Sequence, residues 1–146
     1  MNDIGLTHIA LPVRDVDSSI SFYAKYAKSQ VVHSRADAES GKRVVWLSDR
    51  TRPFVLVLLE EHGEISPLRP NAHLGVGCAS RSEVDELCDE ARNENILIMG
   101  PTDSGYPVGY WALIRDPDGH TLEIAYGQEV ALTVKEAGLS SSGSDE

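Results

Sequence analysis

Residues 72–83 read AHLGVGCASRSE, a β-rich run that hands over to a helix start, and residues 7–19, THIALPVRDVDSS, have already made the same move. In the later stretch, Ser80-Arg81-Ser82-Glu83 fits a capping box, where the serine takes a backbone N–H and the glutamate reaches back. Val84, Leu87, Cys88 and Ala91 then recur at helical spacing. In the earlier stretch, Asp15 or Asp17 offers an N-cap, and Val16, Ile20, Tyr23, Ala24 and Ala27 form the apolar stripe.

Each helix is followed by three strand candidates. In the first half these are Val31–His33, RVVWLS at 43–48 and FVLVLLEE at 54–61; in the second they are Ile96–Met99, YWALIR at 110–115 and HTLEIAY at 120–126. The last two are joined by DPDG, where Pro117 presets φ and Gly119 accepts a positive φ. The chain therefore reads as α+β, two tandem βαβββ modules over residues 1–60 and 72–128. Residues 61–71, with a glycine, two prolines and an asparagine, make the linker. Residues 129–146 end in AGLSSSGSDE and are expected to form a C-terminal extension with a disordered tail.

Bulk properties narrow the function. With 13 basic and 23 acidic residues the formal net charge is −10, which repels phosphate backbones and anionic lipid. Nucleic acid and membrane are therefore not expected partners. There is no basic leader with an apolar core and no run of about 18 apolar residues, so a cytoplasmic location is expected. Cys78 and Cys88 have no CxxC or disulfide-framework spacing and read as small buried hydrophobes. Nucleophile-elbow and phosphate-loop motifs are absent.

Strand alternation then separates two faces. In LTHIALP, Leu6, His8 and Ala10 share one face; in AHLGVGC, His73, Gly75 and Gly77 do; in TLEIAY, Thr121, Glu123 and Ala125 do. Each histidine thus points away from its helix, beside small residues that leave room for a ligand. A mid-strand carboxylate such as Glu123 is costly to bury without a partner, and a metal would be one.

The segment DPDGHTLEIAYG, residues 116–127, resembles the closing hairpin of the vicinal oxygen chelate superfamily, which includes glyoxalase I, extradiol dioxygenases, fosfomycin-resistance thiol transferases and bleomycin-binding proteins. THIALPVRDVDSSISFYAK is similar to its first strand and helix, and AHLGVGCAS to the start of its second module; the resemblance spans about residues 4–127. It implies that the curved mixed sheets form an open barrel around a cavity, and that His8, His73 and Glu123 hold a divalent metal. A fourth ligand, usual in the glyoxalase branch, would fall near Leu56, where Val57 and Leu58 are also apolar; Glu60 or water is the remaining source. Three ligands with open positions favour Fe(II) or Mn(II), with Zn(II) and Ni(II) next.

The expected function is a metalloenzyme whose small-molecule substrate chelates the metal through adjacent oxygens. The ligand set tilts toward ring-cleaving dioxygenase or thiol-transfer chemistry, with a glyoxalase-type lyase or isomerase as one alternative. A metal-free, bleomycin-resistance-like binding protein is the other. Glu123 and Tyr110 are the catalytic candidates, Tyr110 by proton transfer or a hydrogen bond to substrate. Trp46, Leu56, Leu58, Tyr106 and Ile114 are candidate pocket residues, although the pattern alone leaves Trp46 open between pocket and core. His120 reads as exposed or as a contact behind the site, His33 and His62 as surface. Arg35, Lys42 and Arg43 read as a turn region, and Arg115 beside Asp116 as a surface ion pair. Family members of this length often pair, which implies a homodimer.

Overall fold

The computed structural model describes residues 2–141. Its elements run β1 (His8–Val13), α1 (Val16–Ala27), β2 (Gln30–Ala36), β3 (Arg43–Ser48) and β4 (Val55–Glu60). They continue as β5 (His73–Gly77), α2 (Arg81–Asn93), β6 (Leu97–Asp103), β7 (Tyr110–Arg115), β8 (Thr121–Tyr126) and α3 (Val130–Ser141). The βαβββ order thus occurs twice. Two four-stranded sheets result, in the order β1-β4-β3-β2 and β5-β8-β7-β6. In the first, β1 runs parallel to β4 while β3 is antiparallel to both β2 and β4. The class is α+β with two open mixed sheets.

Residues pack as two compact units. One comprises Met1–His73 with Arg115–Thr121, the other Leu74–Ile114 with Leu122–Glu146. The DPDG turn of the last hairpin therefore packs with the first half of the chain. Gly119 has φ +90°, its N–H donates to the Asp116 carbonyl, and the Asp116 N–H donates to the His120 carbonyl.

Local signals act as the chain implies, with some shifts. Asp15, not Asp17, caps α1 by accepting from the Ser18 N–H, and Ser80 caps α2 by accepting from the Glu83 N–H. Glu83 completes the box on the Ala79 N–H. The buried stripe of α1 is Val16, Ser19, Phe22, Tyr23, Tyr26 and Ala27; Ala24 is exposed. This stripe is rotated from the expected one because Phe22 and Tyr26 bring far more apolar area to the sheet than Ala24 can. Beneath it lie Leu11, Val13, Val45, Leu47 and Leu58, each at most 2% exposed. In the other unit, Val84, Cys88 and Ala91 of α2 are buried, and burial pushes the Cys88 thiol up to about 11. Cys78 is only half-buried.

The C-terminal extension differs from expectation. Val130–Ser141 form α3, with Thr133 N–H donating to Glu129 O and the Tyr106 hydroxyl donating to Glu136. Small residues such as Ala131 and Ala137 favour helix, and that local preference outweighs the polar composition. The rest of the expected tail lies outside the described residues. Among the described residues, no helix is long and apolar enough to cross a membrane.

Candidate metal centre and ligand cavity

In the first unit, β1, β4, β3 and β2 present one face away from α1. His8 and Ala10 stand on it from β1, and the parallel register sets His8 beside Val55 and Ala10 beside Val57. Trp46 pairs with Val57 on one side and His33 on the other. This face opens a cavity of about 620 Å³ lined by His8, Ala10, Trp46, Val55, Val57 and Leu59, with Thr7, Arg35 and Arg52 at its edges. The His8 Nδ1 lies 2.8 Å from the Thr7 hydroxyl, so Thr7 engages one ring nitrogen and Nε2 remains for other contacts.

The cavity wall on β4 is the opposite one from that expected. Val55, Val57 and Leu59 line it, whereas Leu56 and Leu58 are 9% and 0% exposed and pack in the core. Side chains alternate with period two, so placing the repeat offset one residue away exchanges the faces. The same register shows which residue of β4 corresponds to Glu123. Ala10 adjoins Val57 in the first sheet, and Gly75 adjoins Glu123 in the second. Val57 therefore stands where Glu123 stands, and it is apolar. Glu60 shares the Leu56–Leu58 side, and its carboxylate accepts from the Arg43 N–H and lies 3.2 Å from His62.

In the second sheet, β5 and β8 are neighbours. A Cβ on Gly75 would sit 3.5 Å from Glu123 Oε2, so the face of β5 that carries His73 and Gly75 is the face of Glu123. Gln128 Nε2 donates to the same oxygen at 2.9 Å. His73 Nδ1 is 2.7 Å from the Pro70 carbonyl, which only an N–H can satisfy; the lone pair is then on Nε2. That tautomer, with a carbonyl behind it, is the one metal-binding histidines adopt. Each of the three residues thus has donor chemistry that suits a divalent ion. Among the described residues, however, no three His, Cys, Asp or Glu side chains of a single chain form a group that could hold one.

Tyr110 faces α2. Its hydroxyl hydrogen-bonds Asp85, and the Arg81 guanidinium lies 4.0 Å above its ring. The Asp85 hydrogen bond raises the tyrosine pKa, which makes it a poorer acid. Ile114, four positions on and on the same face of β7, is fully buried. The Asp116–His120 closure, continued along a regular ladder, sets Leu113 rather than Ala112 opposite Glu123. The expected face of β7 was again off by one residue, because the hairpin closes on Asp116 and His120. Trp111 and Leu113 share the Glu123 side. Tyr106 is 64% exposed and turned to α3.

His120, which reads as exposed or as a contact behind the site, is 1% exposed. Its Nδ1 accepts from the Leu68 N–H at 3.0 Å, so Nε2 carries the proton and donates to the Pro12 carbonyl at 2.8 Å. Asp116 is 4% exposed. It accepts from the Tyr23 hydroxyl at 2.8 Å and from the N–H groups of Asp118 and His120. Burial raises the pKa of Asp116, and burial followed by the nearby carboxylate raises that of Tyr23. A raised folded-state pKa contributes stability below the unfolded value, and that contribution is lost as pH climbs. For Asp116 the loss begins in the ordinary carboxylate range near 4 and runs up to its raised folded-state value; for Tyr23 it begins above about 10. Melting temperature should therefore drop between pH 9 and pH 11, followed by circular dichroism. Tyr23→Phe should start lower at pH 9 and drop less; an equal drop in both proteins would exclude Tyr23 as the cause.

The comparisons agree with this architecture. The model of the Glyoxalase/Bleomycin resistance protein/Dioxygenase superfamily matches residues 5–124. The uncharacterized protein PA2024 of Pseudomonas aeruginosa is 35% identical over 127 residues, covering 84% of this chain and 89% of that protein. The trypanothione-dependent glyoxalase I of Leishmania major has a similar structure, with TM-score 0.68 and 24% identity over 97% of this chain and 99% of that one. So does a mutant of the fosfomycin resistance protein FosX of Listeria monocytogenes, complexed with Mn(II) and dihydroxypropylphosphonic acid, with TM-score 0.68 and 19% identity over 89% and 97%. At these identities the two structures speak for the fold. The doubled βαβββ order, the two mixed sheets and a family match across nearly all of the described chain lead to one conclusion: this protein belongs to the Glyoxalase/Bleomycin resistance protein/Dioxygenase superfamily.

Proposed function

We propose that the protein is a metal-dependent enzyme acting on a small molecule that presents adjacent oxygens, with His8, His73 and Glu123 as the metal ligands. The observation that carries this reading is the pairing on β5 and β8: a histidine whose Nδ1 faces a carbonyl, beside a carboxylate held by Gln128. A divalent ion there would act as a Lewis acid on the bound oxygens. With Val57 at the fourth position, three protein ligands leave room for substrate. That favours ring-cleaving dioxygenase or thiol-transfer chemistry over glyoxalase-type isomerisation. Fe(II) and Mn(II) are the preferred ions.

Sharing of this site between two protomers, with His73 and Glu123 from one chain and the partner's His8, is part of the proposal. Gel filtration should return a dimer at micromolar concentration. Subunit mixing tests the sharing. His8→Ala and Glu123→Ala proteins should each bind little metal, and their mixed dimer should regain about one site of two. A mixed dimer as empty as its parents would put all three ligands in one chain. Metal content should be measured on anaerobically purified, untagged protein. Iron directs assays to catechols and O2 uptake, and manganese, zinc or nickel to thiol-transfer, lyase and isomerase assays. No metal even after reconstitution would overturn the enzyme reading and leave a small-molecule-binding protein.

A further inference from the structure

The cavity of the first unit carries positive charge in a chain whose net charge is −10. Arg35 and Arg52 both line it, with Asp3 as an acidic residue on its wall. Arg35 is on β2, and β2 faces Trp46 through His33. Its guanidinium carbon lies 5.9 Å from the Trp46 ring centre, and its Nη1 donates to His33 Nε2 at 3.1 Å. The His33 ring in turn packs against Trp46 at 4.8 Å. Two neighbouring side chains, His33 and Trp46, thus hold the guanidinium in place, using one of its five N–H donors for His33. A planar guanidinium so held needs little ordering to pair with an oxyanion. Trp46 itself is 37% exposed, with Val57 and Leu59 beside it on the wall, so a flat apolar surface adjoins the charge. Arg52 approaches from the β3–β4 loop, on the side of the cavity nearer His8.

We infer that this cavity selects an organic acid, whose flat apolar body lies on Trp46 and whose carboxylate or phosphonate pairs with Arg35, with Arg52 adding a second positive charge. As a statement about substrate, this rests on the metalloenzyme reading above; as a statement about binding, it does not. The overall negative charge repels anions from most of the surface, so this cavity is where an acid is admitted. Lys42 and Arg43 lie outside the cavity, bonded to Glu61 and Asp17.

The test uses full-length, EDTA-treated protein in which Trp111→Phe leaves Trp46 as the sole tryptophan. Its fluorescence is titrated with benzoate, phenylphosphonate and benzyl alcohol. At least one acid should quench saturably in the millimolar range or below, and whichever does identifies the preferred oxyanion. Benzyl alcohol should bind roughly tenfold more weakly. Arg35→Gln should weaken the acid by roughly tenfold or more, Arg35→Lys by less, and Arg92→Gln, a charge change on the outer face of α2, not at all. Added salt should weaken the acid and leave the alcohol unchanged. Equal binding of acid and alcohol, unchanged binding in Arg35→Gln, or no saturable quenching by either acid would each overturn the inference. Glu123→Ala separates it from the enzyme reading: that variant should lose metal, while its metal-free form still binds the acid and still loses that binding on Arg35→Gln.

Discussion

Glu123→Ala is expected to weaken binding of Fe(II) or Mn(II) by at least about 100-fold, measured by mass spectrometry of metal content and by titration of the metal-free protein. Residues that merely orient a ligand cost about 10- to 100-fold when removed, and Glu123 is proposed as a ligand itself. Gln128 falls in the orienting class. Its amide donates to Glu123 Oε2, so Gln128→Ala should cost roughly tenfold with no change in stoichiometry. The metal-free Glu123→Ala protein should melt no lower than the parent. A half-buried carboxylate with one neutral donor contributes little to folding, and its removal relieves a desolvation cost. Full metal occupancy in Glu123→Ala would remove Glu123 from the ligand set. A large drop in melting temperature would instead assign it a structural role.

The largest effect on stability is expected at Asp116. Its carboxylate is the meeting point of the Tyr23 hydroxyl and two backbone N–H groups, and it is nearly inaccessible to water. Asp116→Ala leaves two buried donors and the part-buried Asp118 N–H without this acceptor, and each buried orphan costs about 1–3 kcal/mol. Allowing for relaxation, the total should be about 3–5 kcal/mol, with a fall in melting temperature on the order of 10 °C. Tyr23→Phe removes one donor to a buried charge and should cost about 1.5–3 kcal/mol. Asp116→Asn keeps an oxygen for the backbone N–H groups and can donate to the Tyr23 oxygen, so it should be the mildest of the three. Chemical denaturation of the four proteins gives this order directly. If Asp116→Ala were the mildest, the cluster would not be what fastens the DPDG turn to α1. The cluster also explains why DPDGH is more than a turn. Asp118 accepts from the Arg14 N–H just before α1, and His120 bonds the chain at Pro12 and Leu68.

The sequence by itself determined what is local or periodic. Asp15 and Ser80 start the two helices because a short polar side chain before an apolar stripe has one good use, the first free N–H groups. Alternation put His73 with Gly75 on one face of β5, and Glu123 with Thr121 and Ala125 on one face of β8, since direction along one strand depends only on odd or even position; that the two faces coincide follows from the pairing of β5 with β8. Pro117 and Gly119 marked the turn for the same kind of reason. The tertiary structure decided whatever required knowing where two strands meet. Leu56, Leu58, Ile114 and Tyr110 were assigned to the cavity by counting across a repeat offset or a turn, and a count off by one reverses every side chain. Arg35, in a segment that reads as a turn, reaches the cavity because β2 extends to Ala36 and carries it past Trp46. Tyr23 and Asp116 lie 93 positions apart, and no period links them. Spacing along the chain fixes direction, but contact is fixed by register and by packing between elements, and these exist only in the folded molecule.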